Sequence, residues 1–412
     1  MITVNQAVAS ILRRTASLKG EEIPLIEGGG RVLFEDVRSR RRVPPFANSA
    51  MDGYAVRWQD VKGASATNPV VLRVVDEVRA GYIAKRSVQQ GTAIRIMTGA
   101  VVPRGADTII RVEYTECSGK EVCISKRDHQ GSHVRKAGED VQLGRRILQK
   151  GKRIGPADIG LMASVGKSKV QVYRRPTVAL ISTGDELLEV EDPPRPGKIV
   201  NSNSYTLYAG VQQAGAVPIS LGIVRDKRKS LAAAFKKALR YDVIMTSGGV
   251  SVGDYDFVKE ALGDVGVKMQ FWKVAQKPGH PMAFGRIGQK PVFGLPGNPV
   301  SSFVSFLLYA RPVLRKMMGH KDLFLPVIQA TLEHEISTSH GVKEFIRCRL
   351  RRHNENNFVS TTGSQSSGVL SSLSLAQGLI VANESDTRLP KGRRVPVILL
   401  DDQGQNKGEM GF

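Results

Sequence analysis

A glycine-rich turn between a predicted strand and a predicted helix constrains the fold of this chain most. The apolar run 242–246 leads into Ser247-Gly248-Gly249-Val250-Ser251-Val252-Gly253-Asp254-Tyr255-Asp256, and a helical pattern follows over 257–262. Glycines let the backbone approach a ligand closely, and N–H groups at the helix start favour an anion such as phosphate. The spacing matches the first half of a P-loop, but Asp254 stands where the P-loop lysine would be, so that interpretation fails. An acidic residue there suggests a hard cation beside the phosphate, and an ordinary tight turn stays the alternative.

Strand and helix patterns alternate on both sides of this turn. Predicted strands occupy 177–181, 218–224 and 291–295, and predicted helices occupy 201–213, 231–239 and the segment that starts with Asn298 as N-cap and Pro299 at N1. Repeated β-α units predict a doubly wound parallel sheet, in which ligands bind at the carboxyl ends of the strands. Polar residues follow four predicted strands: Glu186, Asp226, Asp256 and Asn298. We expect them to converge at one edge, although capping a helix is the alternative role for Asp185, Asp226 and Asp254.

The rest of the chain predicts other domains. An amphipathic helix over 4–18, with a capping box from Thr3 and Gln6, precedes an extended basic connection. Short β-rich segments follow, with a turn at Asp52-Gly53 that could be a hairpin tip. The predicted fold class is α/β and β multidomain. The predicted domains are 1–46 with 141–172 as a helical and extended linker, 47–140 as a β-rich domain, 173–320 as the α/β domain, and 321–412 as a C-terminal β-barrel.

Composition narrows the functional classes. The net charge of +22 attracts anions, namely nucleic acid, an anionic membrane, or phosphorylated and oxyanion substrates. The basic residues are scattered and aromatic residues make up 6% of the chain, which favours a solvated basic surface over a nucleic-acid interface. The three cysteines lack C-x-x-C spacing, and no apolar run has transmembrane length. These features, with a start unlike a signal peptide, predict a cytoplasmic protein without disulfides or a standard zinc site.

With these motifs in place, the chain resembles the MoeA family, the molybdopterin molybdenumtransferases, which includes the gephyrin E-domain. The matching motifs run in family order and are Asn48-Ser49-Ala50-Met51-Asp52-Gly53-Tyr54-Ala55-Val56, Ile94-Arg95-Ile96-Met97-Thr98-Gly99-Ala100, Gly138-Glu139-Asp140, Ser182-Thr183-Gly184-Asp185-Glu186-Leu187, the glycine-rich turn, Lys277-Pro278-Gly279, and Gly294-Leu295-Pro296-Gly297-Asn298-Pro299-Val300-Ser301. The resemblance implies an elongated homodimer whose α/β domain binds molybdopterin. It implies insertion of molybdate into the dithiolene of adenylylated molybdopterin, with Mg²⁺-dependent release of AMP. Implied partners are a molybdopterin adenylyltransferase and downstream cofactor-handling proteins.

The resemblance also assigns roles to residues. Glu186 and Asp256 are the expected Mg²⁺ ligands, with Asp226 behind them, because strand-end carboxylates can hold the cation against a pyrophosphate. The expected catalytic residues are Asp52, Thr98, Asp140, Glu186, Asp226 and Asp256, of which the other subunit supplies Asp52 and Thr98. The expected pterin- and oxyanion-binding residues are Ser182, Thr183, Gly184, Asp185, Ser247, Gly248, Gly249, Ser251, Gly253, Lys277, Pro278, Gly279, His280, Pro296, Gly297, Asn298, Ser301 and Arg347.

Two positions depart from the family pattern. His280 stands where members often have lysine, and Lys343 precedes Glu344-Phe345 where members often have arginine. Both positions face the oxyanion by resemblance, so tungstate is an alternative substrate. A scaffold that clusters partners is an alternative function, but it would not need the acidic residues at the strand ends.

Overall fold

The computed structural model describes residues 1–249, 257–354 and 356–400. The chain forms two compact units, one comprising residues 22–171 and the other comprising residues 1–21 together with the chain from residue 172 onward. No helix among the described residues has the length and apolar character needed to cross a membrane.

Helices and strands are distributed along the whole chain. The α-helices in the described part are α1 (Val4–Arg13), α2 (Trp58–Val61), α3 (Pro156–Ser164), α4 (Ser202–Gln213), α5 (Arg228–Ala238), α6 (Phe257–Asp264), α7 (Pro299–Ser305), α8 (Arg311–Met317) and α9 (Leu370–Ser374). A π-helical turn, Phe306–Ala310, joins α7 to α8. The strands are β1 (Gly20–Pro24), β2 (Val37–Arg38), β3 (Asn48–Ser49), β4 (Gly53–Val56), β5 (Val70–Val78), β6 (Thr92–Ile96), β7 (Thr108–Arg111), β8 (Thr115–Ser118), β9 (Glu121–Ile124), β10 (Val134–Arg135), β11 (Arg146–Leu148), β12 (Lys169–Tyr173), β13 (Thr177–Thr183), β14 (Leu187–Leu188), β15 (Ile199–Val200), β16 (Val217–Val224), β17 (Val243–Ser247), β18 (Lys268–Phe271), β19 (Gln276–Lys277), β20 (Ala283–Ile287), β21 (Lys290–Leu295), β22 (Val327–Leu332), β23 (Ile336–Ser337), β24 (Lys343–His353), β25 (Asn356–Thr361), β26 (Gly378–Ala382), β27 (Arg388–Leu389) and β28 (Arg394–Leu399).

The unit of residues 22–171 is built on a six-stranded sheet with the order β7-β4-β6-β5-β9-β8. All neighbouring pairs are antiparallel except β5 with β6. The strands before and after Asp52 belong to different sheets, since β3 pairs with β10 whereas β4, which begins at Gly53, pairs with β6 and β7. The alternative of a hairpin tip at Asp52-Gly53 is therefore wrong.

The other unit contains a six-stranded sheet with the order β16-β13-β17-β21-β20-β18. The four strands from β16 to β21 are parallel, and β20 and β18 add antiparallel. Alternate residues of β13 enter different cores: Leu180 packs in the cluster that holds α4 and α7, and Ile181 packs in the cluster that holds α5 and α6. Helices therefore cover both faces, which confirms the predicted doubly wound domain and explains why its strands are apolar throughout.

Strands β24-β25-β22-β28-β26 form the predicted C-terminal barrel, which the pairing of β24 with β26 closes. The short strand β19, which precedes the barrel by many residues, adds to β24 in parallel. Residues such as Ile346, Val359 and Val397 fill the interior. The predicted fold class is thus confirmed, and the finer four-domain division stays a prediction.

Two local predictions have different outcomes. The Thr3 and Gln6 capping box is present, but α1 ends at Arg13 and not at residue 18, because the N–H of Arg14 bonds Ile11 in a tighter terminal turn. Asn298 is the N-cap residue of α7, yet its side chain makes no capping bond and instead donates to Ser367 Oγ at 2.9 Å. A tertiary contact has replaced the local one.

A half-buried ion pair supports the amino-terminal ends of the parallel strands. The guanidinium of Arg174 donates two bonds of 2.8 Å to Asp242, which also accepts from Thr177 N at 2.8 Å and Thr177 Oγ1 at 2.9 Å. Burial acts to raise the pKa of Asp242, but the bonds from Arg174 and Thr177 outweigh it and lower that pKa. A lowered carboxyl pKa contributes stability above its unfolded value of about 3.9, and that stability is lost as pH falls through the folded pKa.

We predict that Asp242→Asn lowers the free energy of unfolding at pH 7 by about 1–2 kcal/mol, allowing for partial screening by solvent. The measurement is urea denaturation of both proteins from pH 7 downward, where the difference should shrink. Asp264→Asn is the matched control, because Arg228 also pairs with Asp264 in a two-bond arrangement but at the surface. Equal losses in the two variants would contradict a special role for the Arg174 pair.

Candidate functional site

A cavity of about 410 Å³ lies at the carboxyl ends of β13, β17 and β21. Several predicted site residues line it, namely Thr183, Glu186, Ser247, Gly248, Gly249, Pro296, Gly297, Asn298 and Ser301. Residues without a predicted role complete the lining, namely Leu187, Ile199, Val200, Asn201, Ser202, Asn203, Pro281 and Pro299. The cavity lining therefore combines polar groups with aliphatic and proline side chains.

The strand order explains this location. Strand β13 lies between β16 and β17; the chain after β13 continues to β16 on one side, whereas the chain after β17 continues to β18, β20 and β21 on the other, so a crevice opens between the carboxyl ends of β13 and β17. The parallel register places Ser182 beside Ser247 and Thr183 beside Val224. The loops after these strands therefore start from the same level of the sheet.

The described part of the glycine-rich turn packs against the end of β13. Gly248 has φ of +94°, and a Cβ there would overlap the carbonyl oxygen of Thr183. A Cβ on Gly249 would lie 2.8 Å from Thr183 Oγ1, a buried hydroxyl without a hydrogen-bond partner among the described residues. The predicted residues Ser251, Gly253 and Asp256 lie outside the described residues.

Asn203, at the start of α4, is a cavity residue to which the sequence alone assigns no role. Its Nδ2 donates to Ser247 Oγ and to the Gly297 carbonyl, both at 2.7 Å, so it joins the ends of β17 and β21. Its Oδ1 is buried without a partner among the described residues. The only local signal was the polar run Asn201-Ser202-Asn203 at a helix start, which capping also explains. The arrangement offers an acceptor to an N–H group of a ligand.

Carboxylates converge beside the cavity. Asp185 and Glu186 follow β13, and Asp226 follows β16. Burial, followed by repulsion from Asp185 and Glu186, raises the pKa of Asp226. Among the described residues, no group of three or more His, Cys, Asp or Glu side chains is arranged as a metal site. A cation bound beside these carboxylates would relieve the repulsion that raises the pKa of Asp226.

The turn Lys277-Pro278-Gly279-His280-Pro281, hereafter the 277–281 loop, reaches the cavity through Pro281. The ammonium of Lys277 donates to Ser339 Oγ at 3.0 Å and to Glu344 Oε1 at 3.2 Å. His280 is half-buried, and its carbonyl accepts from Val274 and Met282. Neither Lys277 nor His280 lines the cavity, and the Lys277 ammonium has a third N–H beyond these two bonds.

Arg347 and Lys343 lie in different surroundings on β24. Arg347 is fully buried, and it donates to Ser372 Oγ at 2.7 Å and to the carbonyls of Ser364 and Ser366. No carboxylate in the described part pairs with it, its Nη1 has no partner there, and burial lowers its pKa. Lys343 pairs with Glu384 at 3.7 Å and lines a separate apolar groove. Arg347 is thus a buried cation that has no counter-ion within the described ranges, and it orders the loop that bonds Asn298.

The unit of residues 22–171 contains the remaining predicted residues. Asp52 Oδ1 accepts two bonds of 2.7 Å, from the N–H and from the hydroxyl of Thr98. These bonds lower the pKa of Asp52, so its carboxylate stays ionised at neutral pH. Asp140 is exposed, and its N–H bonds the carbonyl of Val43. The structure therefore orients Asp52 through Thr98.

Comparison with known families accounts for nearly the whole chain. Residues 2–166 match the MoeA N-terminal region (domain I and II), residues 179–316 match a probable molybdopterin binding domain, and residues 329–400 match the MoeA C-terminal region (domain IV).

Several curated proteins and a solved structure are similar along the full length. A molybdopterin molybdenumtransferase from Nostoc sp. is 39% identical over 92% of this chain and 88% of its own. One from Bacillus subtilis is 35% identical over 98% of this chain and 95% of its own. The crystal structure of the molybdopterin biosynthesis MoeA protein from Pyrococcus horikoshii, 32% identical, superposes with a TM-score of 0.85 and covers 97% of this chain and 99% of its own. On this evidence, the chain belongs to the MoeA family of molybdopterin molybdenumtransferases.

Proposed function

We propose that this chain inserts molybdate into the dithiolene of adenylylated molybdopterin and releases AMP in a Mg²⁺-dependent reaction. Its place in molybdenum cofactor biosynthesis, as a transferase, follows from family membership. The observation that carries the finer proposal is the convergence of Asp185, Glu186 and Asp226 beside a cavity that is otherwise lined by neutral groups.

The charge distribution supports a phosphate-containing substrate bound with a cation. A glycine turn, which lets the backbone approach a ligand closely, suits a phosphate, but the neighbouring carboxylates would repel it. A hard divalent cation removes this conflict, and oxygen ligands are the ones that Mg²⁺ prefers. We propose Glu186 and Asp256 as its ligands, with Asp226 behind them. When bound, Mg²⁺ would neutralise charge on the pyrophosphate during its cleavage.

The basic residues near the cavity support an oxyanion co-substrate. Arg347 is a buried cation without a carboxylate partner in the described part, and the loop that it orders bonds Asn298 in the cavity wall. Ser301 supplies a hydroxyl in the same wall. We propose that molybdate binds on this side, toward Lys277 and His280. Tungstate is the alternative, because His280 and Lys343 replace residues that the family often has there.

We further propose that the protein acts as a homodimer, in which Asp52 and Thr98 of a second copy complete the cleft. The lowered pKa of Asp52 supports this role, since an exposed, ionised carboxylate is available to a substrate or a cation. Exchange with an adenylyltransferase and with downstream cofactor-handling proteins is proposed on family grounds alone.

The first test is the reaction itself. Adenylylated molybdopterin, molybdate and Mg²⁺ are mixed with the protein, and AMP release is followed. Glu186→Gln should reduce the rate by at least about a hundredfold if Glu186 holds the cation. Glu189→Gln is the matched control, because Glu189 is exposed, lies three residues away and does not line the cavity. Wild-type rates in the Glu186 variant at ordinary Mg²⁺ would remove this residue from the site.

The second test uses the repulsion at Asp226. A carboxyl group whose pKa is raised by folding lowers the free energy of unfolding. This destabilisation is absent below the unfolded pKa of about 3.9 and is complete above the raised pKa of the folded protein. Asp226→Asn should therefore raise Tm in metal-free buffer, and more at pH 8 than at pH 5. Saturating Mg²⁺ should raise the Tm of the wild type more than that of the variant.

Asp322→Asn, at an exposed position of the same unit, is the control and should show neither effect. A lower Tm of the Asp226 variant at pH 8 would contradict the repulsion, and equal Mg²⁺ effects in the wild type and this variant would place the cation elsewhere.

The third test addresses the second copy. Asp52→Ala and Glu186→Gln should each be inactive, and random mixing of their subunits should restore at most about a quarter of wild-type activity through heterodimers with one intact cleft. The measurement is AMP release after co-refolding, with heterodimer formation checked by differently sized tags. Heterodimers without activity would indicate a cleft within one subunit.

A further inference from the structure

A buried network of hydrogen bonds holds the backbone of the 277–281 loop. The hydroxyl of Tyr309 donates to Gln276 Oε1, and Gln276 Nε2 donates to the carbonyls of Pro278 at 3.0 Å and Gly279 at 3.1 Å and to Ser305 Oγ at 3.3 Å. Gln276 and Tyr309 are each 1% exposed. Burial raises the pKa of the Tyr309 phenol, so its hydroxyl stays protonated and remains a donor.

One helical segment contributes both to this hydrogen-bond network and to the lining of the cavity. Ser301, Ser305 and Tyr309 recur every four residues and so share one helical face. Ser301 lines the cavity, Ser305 accepts from Gln276, and Tyr309 lies in the π-helical turn. Such turns often mark functional sites, because one wider turn re-aims the side chains that follow.

The fit between loop and helix leaves little room for adjustment. Gly279 has φ of +96°, and a Cβ there would lie 2.5 Å from Gln276 Nε2 and 2.7 Å from Ser305 Oγ. Beyond this contact, Lys277 is bonded to Ser339 and Glu344, and Pro281 lines the cavity. A shift of the Gln276 amide would therefore move the loop residues that stand between the barrel and the cavity.

We propose that Gln276, held by Tyr309 and Ser305, is a positioning residue that sets the 277–281 loop for the oxyanion substrate. The inference rests on the proposed function and extends it to residues that touch neither substrate. Fully bonded buried polar networks fix one geometry, whereas loss of one member leaves the others unpaired and the geometry free to change. The oxyanion should be affected and the pterin nucleotide should not, because the glycine turn and Asn203 are held by separate bonds.

The kinetic test compares single hydroxyl deletions. Tyr309→Phe and Ser305→Ala should each raise KM for molybdate by about tenfold, and leave kcat and KM for adenylylated molybdopterin within about twofold. Ser302→Ala is the matched control and should change none of them. Ser302 is a buried serine of the same helix whose hydroxyl has no partner among the described residues. A molybdate KM in the Tyr309 and Ser305 variants equal to that of the control would overturn the proposal, as would equal changes for both substrates.

A second readout does not depend on turnover. Histidine ring signals of isotope-labelled protein are recorded by NMR, and His280 is assigned from the signal lost in His280→Gln. Tyr309→Phe should shift the His280 signal and leave that of His334, in the barrel, in place. An unmoved His280 signal would overturn the positioning role. Absence of AMP release by the wild type would instead overturn the proposed function, and the His280 signal would then decide the positioning role alone.

Discussion

Hydrogen bonds between the parallel strands β13, β16 and β17 hold Thr183, Val224 and Ser247 at one level of the sheet. Because each strand ends there, the loops that follow begin side by side although they are far apart in sequence. Two consequences follow in the described residues: Asp226 meets Asp185 and Glu186, and Gly248 meets Thr183. The register of the sheet thus creates both the acidic edge and the glycine-lined wall of the cavity.

Features with local causes could be predicted from the sequence. The alternation of apolar strands and amphipathic helices predicts the doubly wound sheet, and the strand ends predict where Glu186 and Asp226 lie. The barrel is also visible in the alternation of β24 and β28. The bounds of α1 were less accurate, since Arg14 leaves the helical conformation in a segment whose residue types would tolerate either state.

Features that depend on distant partners could not be predicted. The ends of two strands meet at the side-chain amide of Asn203, and this meeting gives Asn203 its role. Asn298 makes no capping bond because its side chain bonds Ser367 instead, which is distant in sequence. The bond from Lys277 to Glu344 depends on the pairing of β19 with the barrel strand β24. A strand of two residues shows no alternation of apolar and polar residues, so the sequence does not predict it. In each case the local pattern allowed two roles, and a tertiary hydrogen bond selected one.

The strand β19 also limits how this protein can be divided. It lies within the sequence of the α/β region but adds to the sheet of the barrel, where Gln276 and Lys277 pair with Lys343 and Glu344. A fragment that ended before the barrel would leave the backbone of β19 unpaired and remove the counter-ion of Lys277. The two sheets are therefore not interchangeable modules: an exchange of the barrel between related proteins would have to carry a matching Gln276-Lys277 segment, inserted in the middle of the neighbouring fold.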